Sequence, residues 1–195
     1  MTRCADPAAI AASRRGARVA GLRGTLVAGR RIALVAALLG SLAPAIAVAP
    51  LVQHDVVLLQ PGTVLVHRVA GVDAMASYVQ AVGEALQAVA ARHPEQIPAA
   101  GFVVVAARPD GQTQAWLDFR PSLAEPTARD IVAASRAVTP PAVSGGPIVF
   151  ALRVSLWGAK APAAYAPSPA EWRAAAAAAG RPLATDDLLR ATWPD

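Results

Sequence analysis

Cysteine is nearly missing from this sequence: the 195 residues contain one, Cys4. A lone thiol at the extreme N-terminus excludes a disulfide framework and leaves no thiolate cluster for a metal. Lysine is equally scarce, with Lys160 set against seventeen arginines, and alanine is abundant. That bias suggests a GC-rich bacterial genome. Histidines are confined to His54, His67 and His93, too few and too scattered to form a zinc signature. No phosphate-cradling loop is present, since Gly145-Gly146 has no Lys-Ser/Thr after it. Ser144-Gly145-Gly146 also lacks the glycine that precedes the serine in a nucleophile elbow, and reads as flexible loop. No internal repeat is visible.

Basic charge is missing from most of the chain as well. Residues 1–47 hold seven of the eighteen basic residues and one of the thirteen acids, Asp6. The rest of the chain carries eleven bases against twelve acids, a net of −1. The pI of 10.6 therefore belongs to the N-terminal segment, and no nucleic-acid partner is expected.

The arginines end at Arg30-Arg31, where an apolar run from Ile32 to Ala49 begins. A positive flank, an apolar stretch and then small residues is the layout of an export signal. Ala45-Ile46-Ala47 supplies the small residues for cleavage before Val48. The alternative is an uncleaved inner-membrane anchor, because Ile32–Val52 is long enough to cross a bilayer, although Pro44 and Pro50 weaken a continuous helix. In both versions the arginines hold the N-terminus inside and place the remainder in the periplasm or outside the cell.

The chain divides into four segments: 1–47, signal peptide or anchor; 48–72, an extended lead-in or short hairpin; 73–158, a folded domain; and 159–195, a Pro/Ala-rich linker with short helices. In His54–Val69 two β-branched runs flank Gln60-Pro61-Gly62-Thr63, which has type II turn chemistry. Asp73–Arg92 is predicted helical, since Met75, Val79, Val82, Leu86 and Val89 fall on one stripe and His93-Pro94 ends it. Gly101–Ala107 and Thr113–Phe119, joined by Arg108-Pro109-Asp110-Gly111, predict an antiparallel hairpin. Ser122–Val138 predicts a helix opened by a Ser122/Glu125 capping box. Pro147–Trp157 alternates as a strand, with Ile148, Phe150, Leu152, Val154 and Leu156 on one side. In the tail, Ser168 is the expected N-cap and Gly180 the C-terminal stop of an alanine-rich helix, and Thr185 is placed to cap a last turn. The sum is an α+β fold: a small antiparallel sheet of about three strands with helices on one face.

The succession helix, hairpin, helix, strand resembles the C-terminal domains of the TonB/TolA family. The residues that carry it are FVVVAARPDGQTQAWLDF, PTARDIVAASRAV and TPPAVSGGPIVFALRVSL, with Tyr78 in the preceding helix, over residues 75–157. The resemblance implies a non-enzymatic periplasmic module with no cofactor, whose partner is an envelope protein or peptide bound at a sheet edge or face. It makes Pro147–Trp157 the candidate edge. Its departures are the absence of a long Pro-Lys/Pro-Glu spacer and of a charged-aromatic stretch before the final strand, and an extra tail after Trp157.

The candidate partner-contacting residues are Val149, Ala151, Arg153, Ser155 and Trp157 on the second face of that strand, with Trp116 beside them. The competing arrangement has the tail helix, with Trp172, packed over that face; it is the expected one, because an exported domain seldom leaves such a patch bare. Two further functions stay open: a small exported enzyme or metal-binding protein using His54, Asp55 and His67, and an envelope assembly factor held by residues 32–52.

Overall fold

The computed structural model describes residues 49–93 and 97–194. The signal or anchor expected in residues 1–47 lies outside them. Among the described residues no helix is long and apolar enough to cross a membrane. An anchor reaching Val52 is corrected at its end, because Leu51 and Val52 open a strand.

The elements run β1 (Leu51–Leu58), α1 (Gly62–Arg68), α2 (Val72–Arg92), β2 (Ala99–Ala107), β3 (Thr113–Arg120), α3 (Glu125–Ala137), β4 (Ile148–Leu156), α4 (Ala170–Ala179) and α5 (Thr185–Thr192). The α+β class holds, with four antiparallel strands rather than three, ordered β1-β4-β2-β3. The added strand comes from the lead-in. Its second half is not a hairpin partner but α1, which starts on Pro61: the amides of Val64 and Leu65 both donate to the Pro61 carbonyl. Leu65 is buried with Val69, Val143 and Ile148, and that packing overrides the weak helix propensity of Thr63, Val64 and Val66.

Helices cover both faces of the sheet: the one-sided layout is corrected, and the expected packing of the tail helix with Trp172 over the second face holds. On the first face α2 contributes Tyr78, Val82, Leu86 and Val89, and α3 contributes Ile131, against Val103, Val105, Phe150, Leu152 and Val154. Tyr78 meets Phe150 edge-on at 5.7 Å between ring centroids. On the second face Trp172 of α4 and Leu189 of α5 pack with Phe102, Val104, Trp116, Val149 and Ala151.

Three expected caps are used otherwise, Ser168 among them, because α4 starts at Ala170 after Pro169 with no side-chain cap. A helix capped by Ser122 would put Pro126 where an amide must donate back, so α3 starts at Glu125, with Pro126 in its first turn and no side-chain cap. Thr185 begins α5 and donates its hydroxyl to the Leu59 carbonyl at 2.8 Å. Gly180 ends α4 in the left-handed conformation, φ 64°, as its position predicts.

Candidate interaction edge and groove

The final strand has no free edge. β4 pairs along its length with β1 on one side and β2 on the other, so the expectation of an edge at Pro147–Trp157 is corrected. Its second face is equally unavailable. Val149 and Ala151 are fully buried and Trp116 is buried beneath Trp172, 5.6 Å away, and Trp193, 6.3 Å away. The tail crosses this face and is tied down as it goes: Arg153 donates to the Pro162 carbonyl at 3.3 Å, and the Ser168 amide donates to Asp118 Oδ2 at 2.8 Å.

Trp157 leaves the group altogether. Alternation along the strand puts it beside Val149 and Ala151, but it follows the last strand residue with φ 51°. That left-handed backbone turns the indole to the first face, where Nε1–H donates to the Ala90 carbonyl at 3.2 Å. Ser155 is buried and bonds His54 Nε2 through its hydroxyl at 2.9 Å. Asp55 pairs with Arg153 at 2.7 Å and makes no acid–base pair with His54, whose ring bonds Ser155. His67 is exposed on α1. Among the described residues no group of three histidine, cysteine or acidic side chains is placed to hold a metal.

Of the two outer strands, β1 is the one whose side chains are exposed. Apart from Leu51 and Val57, its side chains are exposed from Val52 to Leu58. The opposite outer strand, β3, differs: α3 and α4 pack against it and most of its side chains are buried. Beside β1 the helix layer stops short. The core stripe of α2 points at β4 and β2, whereas Val72, Met75, Ala76 and Val79 form a second apolar stripe turned toward β1. Between that stripe, α1 and β1 runs an apolar groove of about 770 Å³. Leu51, Gln53, Val56 and Leu58 line it from β1, and Leu65, Val66 and Val69 from α1. Glu84 is its one charged lining residue.

Glycine closes one end. At Gly83 an added Cβ would stand 2.6 Å from Gln53 Oε1, so the bare helix surface is what lets the Gln53 side chain lie across α2. Toward α1 the groove widens, and there Leu58 (52% exposed), Val66 (68%) and Val72 (75%) stand in solvent. Five of the six large, exposed hydrophobic residues described lie on β1, α1 or the start of α2; Ile97 is the sixth. An unpaired strand edge with an apolar groove against one side is an arrangement that can receive an extended peptide.

Sequence reasoning missed this site because it read the lead-in for turn chemistry instead of pairing. The available signal was LVQHDVVL itself, apolar at both ends and without proline or lysine. At the end of α1 Arg68 donates to Asp186 Oδ2 at 3.0 Å and to the Pro147 carbonyl at 2.6 Å, and Gln60 donates to Asp186 Oδ1 at 2.8 Å. The Arg68 hydrogen bond is the main reason the Asp186 carboxyl is held below its ordinary range. That latch fastens α5 to α1 and to the residue before Pro61. No protein-family model, curated protein or solved structure matches this chain.

Proposed function

We propose that this chain is an exported protein-interaction module of the bacterial cell envelope, which takes an extended protein segment as a fifth strand along β1. The observation that carries the reading is the free β1 edge lying against an apolar groove of about 770 Å³. Main-chain groups on the open side of β1 supply hydrogen bonds to any extended chain, and the groove accepts every second side chain. The N-terminal layout of arginines, apolar run and Ala45-Ile46-Ala47 supports export. The resemblance to TonB/TolA C-terminal domains supports an envelope partner, and β2, β3, α3 and β4 follow in the order it implies. The contact surface differs from the sequence expectation: it is β1, not the second face of β4.

Photo-crosslinking tests the reading. A benzophenone side chain is placed at Val56 or Val66 in the full chain in cells, with exposed Arg129 on α3 as the control position. The expected result is an adduct from both groove positions and none from Arg129, mapped by mass spectrometry to one extended apolar segment. Val56→Lys should remove the Val66 adduct by placing a charge in the groove. Equal labelling from all three positions, or none, sinks the reading.

A further inference from the structure

The β1 strand carries an irregularity that decides what can pair with it. Its register against β4 shifts between Gln53 and Asp55: Gln53 lies opposite Val154, yet Asp55 lies opposite Arg153. His54 is the extra residue, a β-bulge, and its ring reaches Ser155 on the same face as Asp55. In a regular strand, residues 51, 53, 55 and 57 would share a face. Here the bulge breaks that parity. Leu51, Gln53, Val56 and Leu58 face the groove, while Val52, His54, Asp55 and Val57 face the tail side.

We infer, resting on the β1 reading above, that the segment received at this edge is the β1 strand of a second copy of the chain, antiparallel about a two-fold axis between His54 and Asp55. In that register Leu51 meets Leu58 of the second copy and Gln53 meets Val56, all on the groove side. Val52 meets Val57, and His54 meets Asp55, all on the tail side. Moving the axis by half a residue sets groove-side residues against tail-side ones along the strand. Moving it by a whole residue does so next to the bulge, at Gln53–His54 or Asp55–Val56. One register matches faces throughout, because the bulge sits at the axis.

The chemistry of the pairs agrees with this geometry. No like charges are opposed, and the single acid of the strand, Asp55, falls across from its single histidine, twice in each dimer. The outer pairs are apolar, and each brings one residue that stands exposed on a single copy, Leu58 or Val52, against a more buried one, Leu51 or Val57. Such an interface is isologous and closes as a dimer, so the edge does not propagate into a fibre. Val56 and Leu58 of each copy arrive at the rim of the other copy's groove, next to Gln53 and Leu51.

The test uses two full-length chains, both with Cys4→Ser, one carrying Val52→Cys and the other Val57→Cys, produced together and oxidised. The paired positions face each other, whereas Val52 of the two copies would lie about 17 Å apart along the strand at ~3.4 Å per residue. The expected result is a disulfide dimer mapped to residues 52 and 57, at least about tenfold more abundant than with either variant alone, since thiols whose Cα atoms are beyond ~7 Å cannot close. Sedimentation of the unsubstituted chain, which needs no folded variant, should show a dimer. A monomer that still gives β1 adducts to another protein overturns the homotypic pairing and leaves the interaction reading standing. A monomer with no β1 adduct overturns both, and a dimer whose link maps elsewhere overturns the register.

Discussion

At the scale of single residues, two glycines make opposite predictions for the same substitution. In Gly101→Ala the new methyl would meet the Asp118 carbonyl oxygen at 2.1 Å and Phe119 Cα at 2.6 Å, both backbone atoms of the paired strand β3. Neither can yield without opening the hairpin, and a loss of about 3 kcal/mol or more is expected in urea unfolding. In Gly83→Ala the obstruction is the far end of the flexible Gln53 side chain, which can swing away. Alanine then gains up to about 1 kcal/mol of helix propensity, so this variant should unfold at equal or higher urea. Asp186 gives a pH prediction. Its folded-state pKa lies below the ordinary 3.8, so the stability from its latch to Arg68 is present above that value. It is lost as the pH falls through the lowered folded-state value. The carboxylate is half exposed, which limits Asp186→Ala to about 1 kcal/mol at pH 7. The gap between variant and parent should close in acid, and a gap that stays constant with pH contradicts the assignment.

Among elements, those with strong local signals were legible and those set by partners were not. α2 follows from the spacing of Val82, Leu86 and Val89, the β2–β3 hairpin from Asp110-Gly111, and β4 from its alternation. β1 and α1 were not, because Val56-Val57-Leu58 and Val64-Leu65-Val66 look alike as strings and differ only in what they touch. One finds the open side of β4; the other finds Val143 and Ile148. Of the candidate site residues, Val149, Ala151 and Trp116 are buried, and the exposed strand is β1, next to β4. Alternation separated the two faces of β4, and the expected packing of the tail helix with Trp172 over the second face holds. The tail is thereby a structural element. Trp172→Ala should cost about 3–5 kcal/mol by emptying the space over Trp116. It should also make residues 159–194 the first site of limited proteolysis. Wild-type-like resistance in that variant would show that the tail is held by its latches alone.

For the whole molecule, the export expected from residues 1–47 is checked by mass. Intact mass of the protein from envelope fractions should give a chain beginning at Val48 if the signal is cleaved after Ala47. A membrane-bound species that keeps Ile32–Ala49 would instead hold β1 within a few residues of the bilayer surface, because Leu51 comes directly after Pro50. The sheet order also has a consequence in time. Leu51 pairs with Leu156, and among the described residues β1 pairs with no other strand. A chain that emerges N-terminus first, from ribosome or export pore, presents β1 before any other described element and keeps it waiting until β4 has emerged. Both of its edges are open during that interval, and non-local pairing of this kind is slow. The strand most ready to associate is therefore the one longest without its own partner, which makes the moment of synthesis, and the crowding of nascent copies at it, part of how this molecule is assembled.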